Sequence, residues 1–108
     1  MNRRRHSLRL LPPAEDDLAA IVAHVAGFRR SAGEALVERI EKRLRLLSQN
    51  PRLGRVPQKK ELVPLGYHYL RVDNYFLYYT IENQTIYVHR VLLGAESFCI
   101  LCEDFVIH

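Results

Sequence analysis

Residues 66–94 read Gly-Tyr-His-Tyr-Leu-Arg-Val-Asp-Asn-Tyr-Phe-Leu-Tyr-Tyr-Thr-Ile-Glu-Asn-Gln-Thr-Ile-Tyr-Val-His-Arg-Val-Leu-Leu-Gly. Three runs rich in aromatic and β-branched residues, 67–72, 75–82 and 85–93, are divided by the pairs Asp73-Asn74 and Asn83-Gln84. Such residues favour strands, and short polar pairs between them suit tight hairpin turns. The stretch predicts a three-strand antiparallel meander that ends at Gly94.

Two-residue turns fix the register, because a slip of one residue would turn every side chain over. Val72 then faces Tyr75, Leu70 faces Leu77, Ile81 faces Ile86 and Tyr79 faces Val88. With Leu92 these residues make one apolar face, each contributing ~1.5–3 kcal/mol when buried. His68 and Arg90 fall near the edges of that face. The other face carries Tyr67, Tyr69, Arg71, Phe76, Tyr78, Thr80, Tyr87, His89 and Val91. An aromatic face with a cation can stack bases and hold phosphate, or it can dock a protein. Covering by an apolar C-terminal tail is the plainer alternative.

Upstream lies a basic, irregular segment. Residues 51–65 hold Pro51, Gly54, Pro57 and Pro64 together with Arg52, Arg55, Lys59 and Lys60. Two helices precede it. Leu36, Val37, Ile40, Leu44 and Leu47 line one face of a helix that ends at Asn50-Pro51, with Arg39, Lys42, Arg43 and Arg45 mostly turned away. Ser31 and Glu34 have the spacing of a capping box at its start. The earlier helix opens at Pro12-Pro13, carries Glu15, Asp16 and Asp17 at its positive end, and shows Leu18, Ile21, Val22, Val25 and Phe28 as one stripe to about Gly27. The link between the helices is short, which predicts an antiparallel hairpin. Residues 6–11 alternate weakly and read as a strand. Residues 96–108 could be a short helix or an apolar tail.

The chain has 108 residues, enough for one domain (residues 1–108) with one core. No apolar run reaches the ~18 residues of a membrane span, and no signal-like apolar region follows Arg3–Arg5. A cytoplasmic location is therefore expected. Cys99 and Cys102 have no second pair for zinc and no thioredoxin-like context, so they read as small packing residues. Residues 1–60 hold 14 Lys/Arg against 6 Asp/Glu, while residues 61–108 hold 2 against 6. The basic part suits an acidic protein or a nucleic acid, or it is a solvated surface.

Several local phrases are shared with one family. Ala14-Glu15-Asp16-Asp17-Leu18 resembles its first-helix opening, and Leu47-Ser48-Gln49-Asn50-Pro51-Arg52-Leu53-Gly54 resembles its "L…P…G" ending of the second helix. Tyr69-Leu70-Arg71-Val72-Asp73-Asn74-Tyr75 and Tyr78-Tyr79 look like its second and third strands. Ile86 to Gly94 is similar to its last strand. In order and spacing, over roughly residues 6–98, the sequence resembles the RelE/ParE superfamily of type II toxin–antitoxin toxins, the plasmid-stabilisation proteins.

The resemblance implies an α+β fold: an N-terminal strand, an antiparallel two-helix hairpin, a three-strand antiparallel meander packed on the helices and a short C-terminal segment. It implies growth inhibition, a cognate antitoxin, contact with operator DNA only through the antitoxin complex, and no cofactor, metal or membrane. The apolar tail also allows a homodimer. RelE-like relatives cut messenger RNA in the ribosome, and ParE-like relatives poison DNA gyrase. The cutting relatives place Lys and Arg where this chain has Tyr67, Tyr69 and Phe76, and Arg and Tyr where it has Ala95-Glu96-Ser97-Phe98. Cleavage needs a base, an acid and a cation at one phosphate. His89 and Arg71 are the candidate catalytic residues, and Tyr67, Tyr69, Tyr78 and Tyr87 the candidate target-binding ones. An ordinary Tyr, with pKa near ~10, is a poor base at pH 7. The expectation is a ParE-like gyrase inhibitor. The alternatives are a ribosome-dependent endonuclease and a degenerate antitoxin-binding module.

Overall fold

The computed structural model describes residues 6–57 and 60–94. The expectations for 96–108, including Cys99 and Cys102, lie outside the described residues. The element order is β1 (Ser7–Leu10), α1 (Pro12–Phe28), α2 (Arg30–Gln49), a 3-10 turn (Pro51–Leu53), β2 (His68–Val72), β3 (Tyr75–Glu82) and β4 (Thr85–Leu93). The sheet order is β1-β4-β3-β2, with β1 parallel to β4 and the other pairs antiparallel. The expected strand, helix hairpin and meander are all present.

The main core lies between the hairpin and one sheet face. Leu36, Ile40, Leu44 and Leu47 of α2 meet Leu70, Leu77, Tyr79, Ile86 and Val88 of the sheet. The helix spacing of 3.6 puts the α2 residues on one stripe, and the strand period of two puts the sheet residues on one side. Helix α1 adds Ala14, with Leu18, Ile21 and Val25 packed against the cluster. Its stripe stops there: Phe28 is 82% exposed, its ring edge to face with that of His24 at 5.1 Å between centroids. The helices touch closely at Gly33, where a Cβ would stand 2.8 Å from that of Ala26.

The capping box does not form. A single extended residue, Arg29, both ends α1 and begins α2, with no side-chain cap. Its N–H donates to the Val25 carbonyl, and its own carbonyl accepts from Ala32 and Gly33. Ser31 is thereby drawn inside the helix, and Glu34 pairs with Arg30 instead, at 3.6 Å on the exposed face.

Both hairpins turn at the expected pairs. Asp73 and Asn83 adopt positive φ of 55° and 58°, which short polar side chains tolerate. The expected pairs Val72–Tyr75, Leu70–Leu77, Ile81–Ile86 and Tyr79–Val88 are found. Beyond Val88 the register shifts. Tyr79 pairs with Val88 but Tyr78 pairs with Arg90, so His89 is an extra residue. This bulge reverses the alternation after it. Val91, expected on the outer face, joins the main core; Leu92, expected in the core, packs against the opposite cluster.

Candidate functional site

The outer sheet face is a second core rather than an open aromatic surface. Tyr67 (2% exposed) and Tyr78 (0%) are buried with Leu62 and Phe76, and Tyr69 and Leu92 pack against them. Leu62 comes from the loop before β2. Its carbonyl accepts from the Tyr67 N–H, so the loop folds back onto this face. Tyr69 remains half-buried, its ring 5.2 Å from that of Phe76. Tyr87 is half-buried too, opposite Thr80 on one side and Arg9 of β1 on the other.

The bulge aims His89 into this layer. Its Nε2 lies 2.8 Å from the Thr80 hydroxyl and its Nδ1 3.4 Å from the Tyr67 hydroxyl. The Tyr67 and His89 rings meet edge to face at 5.1 Å. Burial holds the His89 pKa below the usual imidazole value, and the Glu82 carboxylate opposes this only in part. The ring is therefore neutral at pH 7, with one nitrogen donating and the other accepting. The unfolded chain takes up the proton first as pH falls, so this group lowers stability progressively below pH ~6.5 and has no such effect above it. Wild type is expected to lose stability between pH 7 and 5 more steeply than His89→Gln, read as urea midpoints. Equal slopes would show that His89 is not the group responsible.

Arg71 lies elsewhere. It is opposite Phe76, four positions along β3 from Thr80, or roughly 13 Å at ~3.3 Å per residue. Its Nε donates to the Asp73 carbonyl at 2.8 Å and Nη2 to the Asn74 Oδ1 at 3.4 Å, with the guanidinium over the Phe76 ring. The structure thus joins His89, Tyr67 and Thr80 in one group, Tyr69 and Tyr78 to its neighbour Phe76, and leaves Arg71 at the hairpin end.

Two further arrangements were not evident from sequence. Asp17 at the start of α1 accepts from Arg90 Nε at 2.7 Å, Arg90 Nη2 at 3.0 Å and the Val91 N–H at 3.0 Å. Strand β1 has ended here, so a helix carboxylate takes the ladder's place beside β4. The second is a hollow between α2, the loop and β2, lined by Arg43, Arg55 and Arg71. The basic loop and the outward α2 arginines signalled the charge, but nothing in their spacing signalled that they converge. Among the described residues no group of three His, Cys, Asp or Glu side chains could hold a metal, and no helix is long and apolar enough to cross a membrane.

A helix hairpin packed on one face of a four-strand β1-β4-β3-β2 sheet is a fold shared with solved ParE- and RelE-type toxins. The family model described as "ParE toxin of type II toxin-antitoxin system, parDE" matches residues 8–98. The chain belongs to this family of toxins. A chain of the chromosomal ParDE system from P. aeruginosa is similar at a TM-score of 0.69 and 20% identity, covering 83% of this chain and 97% of that one. A chain of the RelBE2 toxin–antitoxin complex from Mycobacterium tuberculosis is similar at a TM-score of 0.57 and 25% identity, covering 83% and 99%. No curated protein matches the sequence.

Proposed function

We propose that this toxin stops growth by binding DNA gyrase in the cytoplasm, performs no bond cleavage of its own, and is neutralised by a cognate antitoxin. One observation carries the preference over RNA cleavage. Both His89 ring nitrogens are engaged by hydroxyls, and Arg71 is held by the β2–β3 turn well away from them. A base, an acid and a cation acting on one phosphate would have to meet within hydrogen-bond reach. The match to a family of ParE toxins supports the same side. The test is a gyrase supercoiling assay with purified toxin. Supercoiling is expected to fall at near-stoichiometric toxin; full supercoiling at a hundredfold excess would refute the reading.

The endonuclease reading has one observation in its favour: the lowered pKa keeps His89 neutral, the state a general base needs at pH 7. Mapping of messenger RNA 5′ ends on translating ribosomes separates the two. Growth arrest without new ends is expected. Discrete cuts within codons, lost in His89→Ala, would establish the nuclease. No arrest at all would identify a degenerate antitoxin binder.

A further inference from the structure

The hollow of about 300 Å³ beside β2 brings together Arg43 of α2, Arg55 of the loop and Arg71 of β2. A second concavity of about 390 Å³ continues from it along α2, sharing Arg43 and Arg71 and adding Arg39 and Lys42. Cations dominate this track. Arg39, Lys42, Arg43 and Leu46 stand at i, i+3, i+4 and i+7, on one flank of the helix. Of the α2 acids, Glu38 and Glu41 line neither concavity, and Glu34 pairs with Arg30. The one carboxylate among the described lining residues is Asp73. Arg39 holds it through Nε at 3.1 Å and Nη2 at 2.7 Å, so its charge is already offset. Lys42, Arg43 and Arg55 have no acidic partner among the described residues. Like charges along one concavity repel, and an occupant with several negative charges removes that cost.

The first hollow is also built to hold its shape. The Arg55 N–H and carbonyl exchange 2.8 Å hydrogen bonds with Tyr69, and the preceding Gly54 N–H donates to the Tyr79 hydroxyl. A loop fixed in this way lowers the ordering cost of binding. Tyr69 turns its N–H away from β3, so alternation turns the Arg71 N–H to the same edge, a further donor for an anion. Guanidinium forks match phosphate oxygens. The rings decide which phosphate compound fits. The half-buried Tyr69 and its neighbour Phe76 line the hollow, while no aromatic residue lines the second concavity. A single strand of nucleic acid brings a base with every phosphate, and its binding grooves offer successive bases successive rings. One aromatic end followed by a run of cations matches one base followed by several phosphates.

We infer that this track is a binding site for a nucleoside di- or triphosphate, its base against Tyr69 and its phosphates running past Arg55, Arg71 and Arg43 to Lys42. The inference is independent of which target the toxin hits. The probes are the fluorescent N-methylanthraniloyl derivatives of ADP and GDP, both used because stacking accepts any base. They are titrated by anisotropy at low salt, then displaced with ATP, ADP, AMP, adenosine, inorganic tripolyphosphate and a single-stranded octanucleotide. At least one probe is expected to bind, and affinity is expected to rise at least tenfold from AMP to ATP. Tripolyphosphate should bind at least fivefold more weakly than ATP, and adenosine should not displace the probe. Arg43→Ala/Arg55→Ala, shown folded by circular dichroism, should weaken ATP at least tenfold, with Arg43→Lys/Arg55→Lys between it and wild type. Tyr69→Leu should weaken ATP and leave tripolyphosphate unchanged. No binding of either probe at millimolar concentration, or equal affinity in the alanine variant, would overturn the inference. So would tripolyphosphate binding as tightly as ATP, which marks a general anion patch, or an octanucleotide binding more tightly than ATP, which marks a track for a strand.

Discussion

Gly54→Ala is expected to destabilise the fold by about 3 kcal/mol, combining an overpacking cost of about 1–3 kcal/mol with buried hydrogen bonds lost at about 1–3 kcal/mol each. A Cβ at this position would run into the Tyr79 hydroxyl and stand 2.7 Å from the Tyr69 carbonyl oxygen. Neither can yield cheaply. Tyr79 is 0% exposed, its hydroxyl donates to the Pro51 carbonyl at 3.0 Å and accepts from the Gly54 N–H at 3.1 Å, and burial raises its pKa. The Tyr69 carbonyl is bonded to the Arg55 N–H. One methyl group would therefore press on the core and on the bridge that holds the loop to β2. Thermal unfolding should shift down by about 12–24 °C, at ~4–8 °C per kcal/mol. Tyr79→Phe should lose less, because it removes the hydroxyl without adding volume. A Gly54→Ala protein melting within 2–3 °C of wild type would mean that the loop moves aside freely, and the pinning argument would fail.

Asp17→Ala is expected to cost about 2 kcal/mol. Breaking a fully buried ion pair from one side costs about 3–5 kcal/mol, and solvent reaching this one reduces the figure. The side chains of Arg90 and Asp17 are 22% and 17% exposed. The substitution leaves the guanidinium without its carboxylate and the Val91 N–H without its acceptor. Asp17→Asn should fall between the two, since an amide oxygen can still accept one of these bonds. A double-mutant cycle with Arg90→Met isolates the pair, and a coupling of about 1 kcal/mol or more is expected. A coupling near zero in urea midpoints would show that the contact is decorative. The Arg39–Asp73 pair is a useful contrast. Its distance is also 2.7 Å, but its side chains are 51% and 44% exposed, and exposed pairs contribute about 0–1 kcal/mol.

The candidate site was legible in part. His89, Tyr67 and Thr80 were assigned to one face from strand alternation, and the structure brings them into one hydrogen-bonded group. Arg71 was assigned to the same face correctly, but alternation gives only the side of the sheet and not the distance along it. Tyr67 and Tyr78 were expected outward, and they are buried in the second cluster. That misreading has a physical source: the loop carrying Leu62 has no periodicity, so its return onto the sheet leaves no local trace.

What the sequence by itself determined is whatever depends on neighbours along the chain. The hydrophobic stripe of α2, the turns at Asp73 and Asn83, and the bounds of β3 and β4 follow from local periodicity and backbone sterics. What only the tertiary structure decided depends on groups far apart in sequence. The bulge at His89 is one case, anchored by Asp17 from more than seventy residues away. The exchange of Val91 and Leu92 between faces follows from that bulge. The meeting of Arg43, Arg55 and Arg71 is another. Spacing records how often a residue type recurs, whereas a site is made by which distant groups come to share one space.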